Sequence, residues 1–307
     1  MRVDNVAIIG VGLIGGSFGM ALRKRKLAGK VIGIGRSPER LHRAVDLGAI
    51  DSWSTDVESG VEQADLIYVA TPVGTELDFI ARASASAKTG CTITDAGSTK
   101  SEICRGADGL VPDGVSFVGG HPMAGSEEAG VQAAHPDLFV NAAYVLTPTE
   151  RTDPEALASV RSLVEGIGAR AIVMDPETHD RCAAVISHLP HLIAAALVSL
   201  ARDASRRDPQ IFDLIAGSFR DMTRVSSSSP VLWRDICLTN VEAIRNASED
   251  FQRLLDKGLQ AVESGDGRAF EDWFGSAKQV RDSLLPGNSE NAEARKSAKG
   301  AEGTDAG

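Results

Sequence analysis

The hydrophobic rhythm of the chain changes once. Up to about residue 174, short apolar and β-branched runs recur, separated by stretches with helical spacing. The runs are Val3–Ile9, Lys30–Gly35, Asp65–Ala70, Cys91–Asp95, Val115–Val118, Ala142–Leu146 and Ala169–Met174, and each predicts a strand. The stretches between them predict helices over Phe18–Arg23, Pro38–Leu47, Val73–Ala87, from about Ser101, and over Asp153–Gly166. Ser37 suits an N-cap, Pro38 the first helical position and Gly48 the stop. Strands alternating with helices in this way predict a doubly wound, mostly parallel sheet.

Beyond Met174 no strand pattern occurs. Glu177 to about Ser205 is rich in alanine and leucine and lacks glycine, and Pro190 inside it predicts a kink. Ile211–Ile215, Val231–Leu255 and Gln260–Leu285 also read as helices. Residues after Pro286 are small, polar and charged, the composition of a disordered tail. The reading is an α/β chain: an N-terminal Rossmann-type doubly wound sheet over residues 1–175, an all-helical C-terminal domain over 176–285, and a tail over 286–307. A helical domain appended to a nucleotide domain often makes a dimer, so a homodimer through the helical domain is expected.

The first strand runs directly into Gly10-Val11-Gly12-Leu13-Ile14-Gly15-Gly16-Ser17 and a helix. This order is the fingerprint of a dinucleotide pyrophosphate grip. Gly10 permits the turn, Gly12 the approach to phosphate and Gly15 the packing of helix on strand. Leu13 and Ile14 lie in the turn that leads into the helix, whose free N–H groups meet the anion. At the end of the second strand, where Asp or Glu would bind the ribose 2′-hydroxyl of NAD, stand Arg36 and Ser37. A guanidinium and a hydroxyl suit a 2′-phosphate, so NADP is favoured and NAD possible. The alternative for Arg36 is stacking on adenine or facing solvent.

Ligands of open α/β sheets bind outside the carboxyl ends of the strands. Three stretches lie there: Ala70-Thr71-Pro72, of which Thr71 and Pro72 line the cofactor site; Asp95 to Lys100, with Ser98; and Gly119-Gly120-His121-Pro122. His121, in a glycine-flanked loop, is the acid–base candidate. The helical part offers Ser187-His188-Leu189-Pro190-His191 and Asp221-Met222-Thr223-Arg224. Arg224 suits a carboxylate, and the kink at Pro190 would aim His191 at a cleft. A core-facing histidine pair and a surface arginine are the plain alternatives. No carboxylate or cysteine lies near the histidines at ligand spacing, so no metal is expected.

Composition narrows the chemistry. The 307 residues carry a net charge of −10, which argues against nucleic acid as a partner. An anionic small-molecule substrate then needs a local cluster of cationic or N–H groups. The 43% hydrophobic and 24% charged content is that of a soluble globular protein. The four cysteines, Cys91, Cys104, Cys182 and Cys237, are scattered and suit a reducing compartment. The longest apolar run, around Leu192–Ala201, falls far short of a membrane span, and no signal peptide is evident. A cytoplasmic protein is expected. Between Lys100 and Lys257 there is no lysine. This disfavours β-hydroxyacid dehydrogenases, which rely on a lysine from the helical domain, although Gly97-Ser98-Thr99 is a little like their substrate loop.

Taken together, the Gly10–Ser17 turn, Asp95–Lys100, His121-Pro122-Met123-Ala124-Gly125-Ser126-Glu127, Ser187–His191, Asp221–Arg224 and Trp233-Arg234-Asp235-Ile236 resemble the prephenate/arogenate dehydrogenase family of tyrosine biosynthesis. The resemblance extends to about residue 285 and keeps the family's motif order. It implies oxidative decarboxylation of prephenate to 4-hydroxyphenylpyruvate, or of arogenate to tyrosine, with hydride passing to NAD(P)+. It further implies that His121 accepts the proton of the ring 4-hydroxyl and that Ser98 holds that hydroxyl and orients His121. Arg224 would bind a substrate carboxylate and His191 line the pocket. Ser126 and Glu127 would close the cleft, and Trp233 pack nearby. Two other readings compete: a different NAD(P)-dependent hydroxy-acid dehydrogenase, and a protein that senses NADP without turnover. The second gives no reason for a histidine at a strand end and an arginine in a second domain.

Overall fold

The computed structural model describes residues 2–125 and 128–284. Ser126, Glu127 and the expected tail over 286–307 lie outside the described residues. Eight strands form one sheet in the order β3-β2-β1-β4-β5-β6-β7-β8. They are β1 (Val3–Ile9), β2 (Ala28–Ile34), β3 (Ser52–Ser54), β4 (Leu66–Val69), β5 (Thr92–Asp95), β6 (Ser116–Pro122), β7 (Ala143–Thr147) and β8 (Arg170–Val173). All neighbours are parallel except β6 and β7. Seven of the eight match the expected runs. β3 was missed because Ser-Trp-Ser is too short and polar to show a period.

The crossover helices are α1 (Leu13–Lys24), α2 (Pro38–Asp46), α3 (Val57–Val61), α4 (Val73–Ser86), α5 (Ser101–Leu110) and α6 (Pro154–Gly166). α3, absent from the sequence reading, is a short turn capped by Asp56, which accepts the Ser59 N–H at 2.9 Å. Two apolar cores result, one on each face of the sheet. Phe18, Leu22, Tyr68, Phe139 and Leu163 anchor the first, and Ile9, Ile67, Ile80, Ile93 and Ile103 the second. Strands buried on both faces read as near-continuous apolar runs, which is why they were legible.

The helical part differs in detail from its expectation. Glu177–Ser205 is not one regular helix. α7 (Pro176–Ala183) passes through a wide π turn, Ala184–His188, into α8 (Leu189–Ser205). Pro190 has no N–H to offer and its ring crowds the preceding turn, and the π turn absorbs both. Pro176–Ser205 is thus a continuous 30-residue run, long and apolar enough by length and composition to cross a membrane. The expectation of a much shorter apolar run is corrected here. Ile211–Ile215 gives way to a 3-10 turn over Pro209–Phe212, and α9 (Gly217–Thr223) follows.

The expected helix Val231–Leu255 breaks at Asn240 into α10 (Pro230–Thr239) and α11 (Val241–Glu263). The last helix, α12 (Gly267–Ser283), begins later than Gln260 because Gly265 turns with φ +69° and Asp266 caps it. Packing divides the chain into residues 1–247 and the segment from Ser248 onward. Within the latter, a side chain on Gly258 would run into Trp273, so α11 and α12 meet closely there.

Candidate active site

His121 stands on a strand, and the expected glycine-flanked loop is corrected. β7 returns antiparallel beside β6 and extends its pairing, so that His121 faces Val145. Gly119 and Gly120 are strand residues that lack room for anything larger. A Cβ on Gly120 would meet the Asp95 carbonyl oxygen at 2.7 Å, and one on Gly119 would collide with Thr147 Oγ1. A paired strand fixes an imidazole better than a loop would.

From behind, the carboxyl end of β5 clamps the residue before His121. Asp95 is fully buried; its Oδ1 accepts the Gly120 N–H at 2.9 Å, and its Oδ2 accepts the Gly97 N–H at 2.8 Å. The equally buried ammonium of Lys100 donates to Asp95 and to the Gly120 carbonyl. Burial works against charge on Lys100, but the anions around it, Asp95 first, outweigh it and raise its pKa above the ordinary lysine value. Removing one partner of such a pair costs about 3–5 kcal/mol, because the other charge is stranded.

The ring of His121 is held from the other side. Its Nδ1 lies 2.8 Å from His179 Nε2, and His179 Nδ1 lies 2.8 Å from Asp180 Oδ1. The Asp180 carboxylate also accepts the backbone N–H groups of Lys100 at 2.7 Å and Ser101 at 2.9 Å, where α5 begins. Burial would raise the Asp180 pKa, but the bonds from His179, Ser101 and Lys100 prevail and lower it. An ionised carboxylate only accepts. His179 Nδ1 therefore carries a proton, and where its Nε2 is bare that nitrogen accepts the Nδ1–H of His121. The free lone pair of His121 is on Nε2. Burial, then His179, Lys100 and His188, push the His121 pKa well below the ordinary histidine range. The ring is a neutral hydrogen-bond acceptor at neutral pH.

His179 and Asp180 were missed in the sequence; the cue was a His-Asp pair at the head of an apolar helix. Ser98 is half-buried in the segment anchored on either side by the Gly97 and Lys100 N–H groups. His191 and Trp233 are brought together, their rings stacked with centroids 3.5 Å apart and planes at 24°. His191 Nδ1 donates to the Ser187 carbonyl at 2.8 Å. His188, buried and edge-on to Trp233, has its Nδ1 3.1 Å from Asn240 Nδ2. The same amide donates to the Asp180 carbonyl at 2.8 Å, which explains the helix break at Asn240. Burial lowers His191 and takes His188 down to about 4. Arg224 is exposed at the start of the 3-10 turn Arg224–Ser227, a segment packed against α8. Ser126 and Glu127 lie outside the described residues.

The glycine turn has the form a phosphate requires. Gly10 adopts φ +92°, and a Cβ there would lie 2.5 Å from the Ala70 carbonyl oxygen. A Cβ on Gly15 would strike the Gly10 carbonyl, whereas nothing lies within 4 Å of one on Gly12. α1 has no side-chain cap, so the first-turn N–H groups of Leu13, Ile14 and Gly15 are left for a ligand. At the end of β4, next to Gly10, Thr71 Oγ1 is buried without a hydrogen-bond partner, and Pro72 is exposed at the start of α4. These features fit a dinucleotide. Arg36 is exposed beyond β2. Ser37 Oγ caps α2, accepting the Arg40 N–H at 3.3 Å, and donates to Glu39 Oε2 at 2.7 Å.

A phosphate cradle at one strand end and a neutral, tautomer-fixed histidine at another define a nicotinamide-dinucleotide dehydrogenase. Family models described as the nucleotide-binding domain and the dimerization domain of prephenate dehydrogenase match residues 18–173 and 175–276. The prephenate dehydrogenase of Bacillus subtilis is 40% identical over 92% of this chain and 76% of its own length. The crystal structure of Aquifex aeolicus prephenate dehydrogenase with hydroxyphenyl propionate and NAD+ superposes with a TM-score of 0.88. It is 33% identical, over 93% of this chain and 99% of that one. Synechocystis arogenate dehydrogenase gives 0.80 at 31% identity, over 92% and 100%. The chain belongs to the prephenate dehydrogenase family.

The buried His188 has a consequence for stability. The native ring takes a proton only near pH 4, whereas an unfolded one does so near 6.5. Between these values the unfolded state binds more protons, so stability falls with pH. From pH 7 to 5 this ring should remove about 2 kcal/mol. Urea unfolding of wild type and His188→Asn at both pH values checks this; an equal acid loss in the two would refute it.

Proposed function

We propose that this chain oxidatively decarboxylates prephenate or arogenate, with NAD(P)+ as hydride acceptor. The products are 4-hydroxyphenylpyruvate or tyrosine. The observation that carries the reading is the line from His121 through His179 to Asp180, 2.8 Å at each step, in a chain of this family. When bound, the nicotinamide takes hydride from the ring carbon that bears the hydroxyl. His121 Nε2 accepts the hydroxyl proton as carbonyl character develops there, which is where a base lowers the barrier. The protonated ring keeps its Nδ1–H directed at His179. Carbon dioxide leaves, the ring becomes aromatic, and the proton returns to the phenolic oxygen. Ser98 holds the same hydroxyl, Arg224 grips a carboxylate, and His191, backed by Trp233, lines the pocket.

We assign NADP+ as the preferred acceptor. Arg36 stands exposed where an acid would serve NAD, and Ser37 can exchange Glu39 for a 2′-phosphate. A homodimer through the helical part is supported by the match to a dimerization domain. The exposure of Leu200, Leu238, Val241, Val262 and Val280 also supports it, because a second copy would cover such apolar surface. The free state of all four cysteines is consistent with the cytoplasm.

Turnover is followed by the absorbance of reduced nicotinamide with prephenate and with arogenate. His121→Asn should lower kcat on the order of 10²–10⁴-fold with little change in KM. Arg224→Ala should raise the substrate KM roughly tenfold to a hundredfold with a smaller change in kcat. A His121→Asn enzyme with wild-type kcat would sink the mechanism. Arg36→Ala should lower kcat/KM for NADP+ about tenfold and leave NAD+ unchanged; equal losses would remove Arg36 from the 2′-phosphate site. Light scattering should give twice the chain mass, and a monomer would refute the dimer.

A further inference from the structure

A third buried carboxyl, in addition to those of Asp95 and Asp180, lies behind the site, and none of the steps above uses it. Glu76, in α4, is fully buried, and neither of its carboxyl oxygens has a hydrogen-bond donor. An isolated carboxylate in the protein interior is among the most costly of arrangements. Its surroundings add to the cost. The point where a side chain on Gly97 would begin is crowded by Glu76 Oε2 and by Asp95 Oδ2, the latter at 2.9 Å. Lys100, the cation of the cluster, is already engaged by Asp95 and the Gly120 carbonyl. Tyr68 from β4, Tyr144 from β7 and Cys104 from α5 are the other titratable groups facing the cluster; the tyrosine hydroxyls bond each other at 3.2 Å, and the Cys104 thiol lies against Thr147. Charges on the packed helices are directed elsewhere: Glu58 of α3 pairs with Arg82, Asp235 of α10 with Arg234 and Arg105 of α5 with Glu177, Asp108 of α5 accepts from Thr149, and Glu102 of α5 is exposed. One ammonium cannot balance two ionised carboxylates in such a place.

We propose that Glu76 is held un-ionised and shares its proton with Asp95, and that this bond seats the Gly97-Ser98-Thr99 segment against His121. With the proton in place the cluster carries one negative and one positive charge. Asp95 can then hold the N–H groups of Gly97 and Gly120 while Glu76 supports Gly97 from beneath. Burial, and next the Asp95 charge, raise the Glu76 pKa well above the ordinary carboxyl value, against the pull of Lys100. Loss of the proton at alkaline pH would set two anions against each other under Gly97 and displace Ser98. Glu76 is a positioning residue. The kinetic part of this inference rests on the roles proposed for His121 and Ser98; the protonation does not.

The test combines infrared difference spectra, wild type minus Glu76→Gln, with kinetics across pH. At neutral pH the wild type should show the carbonyl band of an un-ionised carboxyl that Glu76→Gln lacks. Glu76→Ala should lose on the order of tenfold to a hundredfold in kcat, as small misplacements of reacting groups do, whereas Glu76→Gln, whose amide can still donate to Asp95, should restore it. The alkaline decline of wild-type kcat should be absent from Glu76→Gln. Absence of the band overturns the proposal, as does a Glu76→Gln enzyme as impaired as Glu76→Ala. If Glu76→Ala does not fold, the band and the Glu76→Gln pH profile decide. A His121→Asn enzyme that stayed active would overturn the base assignment and leave the infrared band in place, so the two ideas fail separately.

Discussion

The ammonium of Lys100 has no route to water, and much of the site follows from that. A buried cation must be met by a fixed anion and by fixed carbonyl oxygens. Asp95 supplies the first and Gly120 the second, so the ends of β5 and β6 are tied at one point. The backbone of Lys100 is tied in turn to Asp180, whose neighbour His179 meets the His121 ring. The histidine is thereby gripped twice, through the strand that carries it and through its own Nδ1. Both grips lead back to the short segment after β5. Disorder there would cost the enzyme the direction of its lone pair, whatever became of the overall fold.

How far the sequence reveals this depends on the range of each interaction. The sheet was legible because parallel strands are buried on both faces and write their burial as apolar runs. The glycine turn was legible because each of its glycines answers a local steric demand, and Gly10 and Gly15 show those demands in their close approaches. The strand setting of His121 was not. It depends on β7 returning antiparallel from more than twenty residues further on, and a Gly-Gly pair reads as a loop until that partner is present. His179, Asp180 and Asn240 were also hidden. Each is a polar residue inside helical sequence, and what marks it is a partner distant in the chain. The helix boundaries near Asn240 and Gly265 were displaced for the same kind of reason: apolar spacing continues across a break that a side-chain bond or a positive φ enforces.

The apolar character of the helical part has two sources. Some of it packs within the chain, as where Ala184, Ile244 and Ala247 meet. More of it stays uncovered, with Leu200 and Leu238 about two-thirds exposed. Exposed apolar side chains such as Val185, Ile186 and Leu200 are part of why Pro176–Ser205 has the length and composition of a membrane span. Of the polar residues of the same run, His179 bonds His121 on β6, Asp180 bonds the backbone after β5, and His188 bonds Asn240. One helical run thus turns His179 and Asp180 to the residues around His121 and leaves many of its apolar residues exposed.

The place of His179 in the chain has a bearing on the order in which abilities arise during synthesis. The residues proposed to cradle a dinucleotide lie at or before Pro72, and the proposed base is His121. The group that tells the base which nitrogen to leave bare arrives only with α7. A chain growing from its amino end therefore contains the residues of the phosphate turn well before it contains the group that orients the acceptor. Competence waits until the sheet and the first helix of the region beyond it have met.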